Sequence, residues 1–272
     1  MCEFCKKHGQ GNRWFLNPDN YSDKMMEDRE RQELIEEIVG YGIDYYQDFS
    51  SKVTNLAKWP VLSTFIKMAV KRLAPKEHGG QVVSLEDSLE IVSLAKNFVL
   101  LECSCKKLVT HGEELCCLNF GPVRDMQKSM LPDGAMEELT LAEAQEFLKG
   151  KDKEGRIHQV LYAKVPMPVC VCNCDLRWCT SFKQRFPYDI PLAVLKGHDV
   201  VAIDEDMCIG CGGDPPCVER CGFGALRYDE SQGKVVVDIK KCFGCGLCWA
   251  VCEQDALRVV PRSSVLEVAR SW

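Results

Sequence analysis

DMCIGCGGDPPCVERCGFGAL, residues 206–226, and KCFGCGLCWAVCEQDAL, residues 241–257, decide how this chain is read. Between them they hold eight of its 18 cysteines. Cys242, Cys245, Cys248 and Cys252 are separated by gaps of two, two and three residues, and Cys208, Cys211, Cys217 and Cys221 by two, five and three. Short gaps bring three thiolates to one cubane, while the fourth, three residues on, lies on the next turn and reaches a neighbouring cluster. Such spacing is an iron-sulfur signature with crossed ligation. A pair of structural zinc sites built from C-x2-C elements is the competing interpretation, and it leaves the repeated quartet unexplained. Gly210, Gly212, Gly244 and Gly246 fit the cluster reading, because glycine lets backbone amides approach cluster sulfur.

Residues 204–260 thus resemble a two-cluster bacterial-type ferredoxin with paired 4Fe-4S sites. The resemblance implies Cys208, Cys211, Cys217 and Cys252 as ligands of one cluster, and Cys221, Cys242, Cys245 and Cys248 as ligands of the other. An internal repeat supports it: CGFGAL matches CEQDAL, and the strand-like runs LRYDE and LRVVP follow them. Two departures stand out. GGDPP lengthens the first loop, and Gly222 and Glu253 occupy the positions after the last cysteine where proline is usual.

The 272-residue chain is globular in composition, with 46% hydrophobic residues. A net charge of -6 excludes a general nucleic-acid binder. No stretch approaches the roughly 18 uncharged apolar residues of a membrane span, and MCEFCKKHGQGNRW lacks a signal-peptide core. A cytoplasmic protein is expected. In that compartment the cysteines mean metal or redox chemistry rather than disulfides, and oxygen-sensitive clusters suit an anaerobic host.

Three parts are expected: a cysteine-containing segment over 1–21, a mainly helical cysteine-rich domain with short strands over 22–197, and the ferredoxin domain over 198–272. The fold class is α+β. Residues 22–39 form an amphipathic pattern behind Ser22, and residues 60–74 a second one starting at Pro60 and stopped by Pro75. Lys67, Lys71 and Arg72 of the second are read as a solvated face rather than a membrane contact. Ser84 caps a helix from Leu85 to about Lys96, after which an apolar strand delivers Cys103 and Cys105. Thr140 and Glu143 open another helix as a capping box, and the strand that follows delivers Cys172 and Cys174. Helix, strand and C-x-C thus occur twice.

Ten cysteines lie outside the two quartets. Cys2, Cys5, Cys103, Cys105, Cys117, Cys172, Cys174 and Cys179 are the candidate ligands of one or two further 4Fe-4S clusters, or of a zinc. One extra cluster is the narrower expectation, held by Cys103, Cys105, Cys117 and members of the Cys172, Cys174 and Cys179 set. Adjacent side chains on an extended strand point to opposite sides, so only one of Cys116 and Cys117 is expected to ligate, and Asn119, Phe120 and Gly121 favour Cys117. Cys170 is read as a small buried residue and His8 as a solvent-facing one. His111, Glu113 and Glu114 are read as loop charges rather than acid-base groups.

CEFCKKHG, HGGQVVSLED, CNCD and KGHDVVAID, taken with the ferredoxin, are similar to a group of multi-cysteine 4Fe-4S ferredoxin-domain proteins from anaerobic bacteria. The resemblance implies cluster binding and electron transfer to protein redox partners. The function expected is that of a multi-cluster relay subunit of an oxidoreductase complex, with no catalytic residue. The alternative is a reductase whose N-terminal cysteine site is itself catalytic and is fed by the ferredoxin. A third reading, clusters serving only to stabilise the fold, rests on the folding energy that metals supply. No dinucleotide loop, P-loop or C-x3-C-x2-C triad is present, so no small-molecule substrate is assigned.

Overall fold

A computed structural model describes residues 3–22, 79–122, 136–162, 166–188 and 193–272, with a few single residues between. Cys2 and nearly all of the helices expected over 22–39 and 60–74, with Lys67, Lys71 and Arg72, lie outside the described residues. The cysteine-rich portion, expected to be mainly helical with short strands, is organised among the described residues on a six-stranded sheet.

Two successive strand-helix-strand-strand units build that sheet. The first is β1 (Gly80–Val82), α2 (Leu85–Leu94), β2 (Phe98–Glu102) and β3 (Leu115–Asn119). The second is β4 (Met136–Leu139), α4 (Leu141–Lys153), β5 (Ile157–Tyr162) and β6 (Pro168–Cys174). Helix α1 (Glu3–His8) precedes them, and the short α3 (Ser104–Thr110) joins β2 to β3. Strand order is β1-β5-β6-β3-β2-β4, every pair antiparallel, so the two units interleave. Helix and strand do recur in the two units, but Cys103 and Cys105 follow the first strand after the helix whereas Cys172 and Cys174 lie in the second, so the two C-x-C pairs are not equivalent positions.

Local chemistry sets the helix starts. The Ser84 side chain accepts from the Asp87 N–H at the head of α2, and Thr140 with Glu143 completes a capping box on α4. Ile91, Val92, Ala144 and Leu148 from these helices pack on Leu100, Leu118, Val160 and Val171 of the sheet, together with Trp14 and Phe15 from the N-terminal segment. Strand side chains alternate, so the neighbours of Leu118 and Val171, namely Cys117 and Cys172, face the other side. On that side Val82 and Ile157 pack with Cys179, Phe182, Phe243 and Leu247.

The C-terminal unit has two antiparallel pairs. β7 (Asp199–Ile203) pairs with β10 (Leu257–Pro261), and β8 (Leu226–Asp229) with β9 (Lys234–Val237). Its core combines Val200, Val201, Leu226, Val235 and Val268 with Cys217, Cys242 and Cys248. Main-chain bonds fasten it to the sheet: Val82 N–H donates to Leu195 at 3.0 Å, and Gly197 N–H to Phe243 at 2.8 Å.

Arg13 ties three parts of the chain. Its guanidinium donates to Asp87 of α2 and, at 2.7 and 2.9 Å, to Asp199 of β7, and both carboxylate side chains are only 11% exposed. Removing the cation strands two largely buried carboxylates, which costs on the order of 3 kcal/mol. Arg13→Leu is therefore expected to lower unfolding stability by about that amount, whereas Arg29→Leu, losing one exposed pair to Glu33, should change it by less than about 0.5 kcal/mol. Equal effects of the two in denaturant titrations would contradict the tie.

Candidate metal centres

The loop between β7 and β8 carries the first quartet. A 3-10 turn over Gly210–Gly213, within the GGDPP-lengthened stretch, holds Cys211 at φ 46°, and the one-turn helix α6 (Pro216–Glu219) carries Cys217. Cys211 is exposed while Cys217 is buried. Burial pushes the Cys217 thiol up to about 11, and the thiols of Cys252, Cys211 and Cys208 raise it further. In the same way burial pushes Cys245 up to about 12, with Cys242 and Cys221 beside it. Cys248 is raised as well, first by burial and then by Cys245, Cys242 and Cys221. Thiols of the two quartets therefore meet, with Cys252 near Cys217 and both Cys221 and Cys217 near Cys248.

The fit to iron-sulfur clusters rests on three features of the chain. Cys221, Cys242, Cys245 and Cys248 line one partly open cavity, walled by Phe223, Phe243 and Arg220. Backbone amides already point at thiols: Ala225 N–H lies 3.2 Å from Cys221 Sγ and Val235 N–H 3.5 Å from Cys208 Sγ. Buried neutral thiols gain by exchanging protons for a metal, since ligation needs the thiolate.

Two buried cations flank the second set. Arg262 is fully buried; its Nε donates to the Gly197 carbonyl at 2.8 Å and its Nη2 to the Cys242 carbonyl at 2.9 Å, while Nη1 has no partner among the described residues. Lys196 is 7% exposed, donates to the Lys240 carbonyl at 2.5 Å, and sits 5.4 Å from the Phe243 ring centroid. Burial pulls Arg262 down to about 10 and Lys196 down to about 8, and the Cys242 sulfur pulls both back up.

The sheet carries a second group of thiols on the face away from α2 and α4. Cys103, Cys116 and Cys117 have sulfur atoms within 4.8 Å of one another. Cys117 Sγ lies 3.8 Å from Cys172 Sγ, which lies 3.4 Å from Cys170 Sγ. Cys105 neighbours Cys103 and Cys179, and Cys174 neighbours Cys172 and Cys179. Six thiols thus close a ring, with Cys116 and Cys170 attached. Gln159 donates to Cys179 Sγ at 3.5 Å, and Trp178 packs on Cys103 and Cys116 with its Nε1 buried and unpartnered among the described residues.

Four sequence expectations change here. Cys116 and Cys117 do not point apart, because the β2–β3 register shifts between Leu101 and Glu102, leaving Cys116 in a bulge that turns both thiols toward Cys103. Cys170 is buried, as expected, but it touches Cys172 rather than standing alone. Cys5 lies in the other core, where Trp14 N–H points at its sulfur at 3.3 Å and the His198 ring lies at 3.2 Å. Among the described residues, then, the sheet group takes Cys116 and Cys170 rather than Cys5. His8, expected to face solvent, is half-buried with its ring 4.6 Å from that of Phe4.

Glu114 is an anchor below this group. Burial pushes its carboxyl up, but bonds from Lys106 and Lys151 and the charge of Arg156 outweigh that and hold it below the usual carboxylate range. Lys106, Arg156 and Arg177 also crowd the Trp178 ring, with centroid distances of 4.8–5.1 Å. None of Arg262, Lys196, Trp178 or Gln159 belongs to a spacing motif. A buried charge announces itself in three dimensions only.

Residues 207–256 match the family described as 4Fe-4S dicluster domain, and this stretch of the chain is such a domain with its 4Fe-4S clusters. Among curated proteins, a subunit of the ion-translocating oxidoreductase complex of Methanosarcina acetivorans is 41% identical over 64 residues, covering 24% of this chain and 22% of that one. The polyferredoxin protein MvhB of Methanothermobacter marburgensis is 35% identical over 69 residues, covering 22% and 17%. The polyferredoxin-like subunit of aliphatic sulfonate oxidoreductase from Pyrococcus furiosus is 42% identical over 52 residues, covering 19% and 30%. The chain therefore spans less than a third of the length of each of these relatives. No solved structure matches.

Gly244, between two thiols of the cavity, has φ +71°, and a Cβ there would overlap the Asp199 carbonyl oxygen. Gly244→Ala is expected to halve the iron of the C-terminal domain by distorting the Cys242–Cys245 turn; full iron in that variant would show that the turn tolerates a side chain.

Proposed function

We propose that this chain is an iron-sulfur electron-transfer protein, a multi-cluster relay that passes single electrons between protein redox partners and a larger oxidoreductase complex. The clusters supply the redox chemistry. The chain's residues hold them, order them in space and shield them from water. Cys208, Cys211, Cys217 and Cys252 are the proposed ligands of the first cluster, and Cys221, Cys242, Cys245 and Cys248 those of the second. The domain division at 198 and a cytoplasmic location belong to the same proposal. No helix among the described residues is long and apolar enough to cross a membrane.

One observation carries the relay. Cys174 and Cys179 of the sheet group and Cys245 of the second set pack against one cluster of side chains that includes Phe182, Phe223, Phe243 and Leu247. Phe223 and Phe243 stack at 4.3 Å between centroids with an interplanar angle of 10°. A metal centre in the sheet group would thus face the second cluster across an aromatic layer, and the second adjoins the first through the core shared by Cys217, Cys242 and Cys248. The exposed Cys211 gives the far end of the line to solvent and partners. Trp178 Nε1, an orphaned donor against Cys103 and Cys116, suits a sulfur acceptor in the sheet centre.

A second reading has one observation in its favour. Three sulfur atoms within 4.8 Å are spaced for a single tetrahedral ion, which would make the sheet centre a structural zinc. Metal analysis separates the two. Anaerobically purified protein is expected to contain about 12 irons without zinc, four for each of three clusters. About eight irons with one zinc would reduce the chain to a two-cluster carrier on a zinc-stabilised domain. Cys117→Ala and Cys116→Ala are expected to lose the sheet centre alike, because both thiols meet Cys103.

A further inference from the structure

The two cluster sites of the C-terminal domain differ in charge. Beside the second set lie Arg262, whose Nη2 donates to the carbonyl of Cys242, and Lys196, with its ammonium over the Phe243 ring. Arg185 of α5 (Thr180–Tyr188) also reaches that ring, at 5.6 Å, and Arg220 lines the cavity. Asp199 and Asp238 are the acids on this side, and Asp199 is already held by Arg13. Around the first set the balance reverses. Asp204, Glu205, Asp206 and Asp214 flank Cys208 and Cys211 in the chain; Arg258 pairs with Asp204, and the ammonium of nearby Lys234 is turned to the Glu205 carbonyl, so acids still outnumber cations there. The titratable neighbours acting on Cys217 are other thiols, those of Cys252, Cys211 and Cys208.

We infer that Arg262 and Lys196 make the second site the higher-potential one of the pair, so that an electron reaching the exposed first cluster comes to rest on the inner one. The inference rests on the ligand sets proposed above. The step is a one-electron exchange: the first cluster is oxidised, the second is reduced, and no bond or proton changes place. A reduced cluster carries one more negative charge, which a fixed cation stabilises and a dry surround destabilises. Burial alone would favour the exposed site. The cations decide the order because they are themselves buried, where little water screens them. Arg262 cannot shed its charge readily, and three main-chain carbonyls, those of Gly197, Asp199 and Cys242, hold it in place.

Potentiometric titration of the full anaerobic chain, followed by electron paramagnetic resonance with iron counted in each sample, tests this. The unaltered protein should show two C-terminal steps; Cys245→Ala should abolish the upper one, and Cys211→Ala should leave it. Lys196→Gln should make the second cluster about tenfold harder to reduce, a fall of about 59 mV for one electron, with iron and the lower step unchanged. Lys196→Arg should restore it. Arg262→Gln should lower the same step at least as far; if its unpaired carbonyls cost the cluster, Lys196→Gln decides alone. Full iron with both steps unmoved, or both moved equally, overturns the inference and leaves the ligand sets standing. An unaltered chain holding fewer than about eight irons overturns the ligand sets themselves.

Discussion

The meeting of thiols from the two quartets, Cys217, Cys242 and Cys248 in one core with Cys208 and Cys221 against it, fastens the two halves of the C-terminal domain to each other. Everything else in that domain follows from it. Buried thiols are poor material for a core: small, and held neutral by burial until a metal takes their protons. The strands around them are short, and the hydrophobic side chains of this core are mostly valines. Cluster binding is therefore tied to folding here, since the ligands of each proposed site come from both ends of the domain.

The N-terminal portion solves a different problem. Its sheet buries one face under α2 and α4 in an ordinary apolar core, which frees the other face for sulfur. A bulge at Cys116 adds a thiol that a regular strand would have turned into that core. The aromatic layer of Phe182, Phe223 and Phe243 then closes the sulfur-bearing face against the dicluster domain. The linking stretch around Leu195 and Gly197 is bonded to β1 and to Phe243, so the two sulfur-bearing regions are held at a set separation.

What the sequence made legible was local. Quartet spacing identified the dicluster domain, because ligand geometry is written in short gaps; Ser84 and the Thr140–Glu143 pair marked two helix starts, because caps act within one turn. What it hid was long-range. The interleaved strand order, the meeting of Cys103, Cys116 and Cys117, and the placement of Cys5 against His198 and Trp14 all join residues far apart in the chain. The rule that neighbouring strand residues face apart failed at Cys116 because a register shift is invisible without its partner strand. Arg262 and Arg13 gave no sign at all: each reads as an ordinary surface cation until its buried partners are seen.

The relay requires that the sheet thiols hold a centre in electronic contact with the dicluster domain across the Phe223–Phe243 stack. Low-temperature electron paramagnetic resonance of the fully reduced protein measures this directly, since neighbouring paramagnetic clusters broaden and split one another's signals. A relay predicts a signal from the sheet centre that is broadened in the unaltered chain and sharpens in Cys245→Ala, where its nearest neighbour is gone. A sheet-centre signal identical in the two proteins would contradict it.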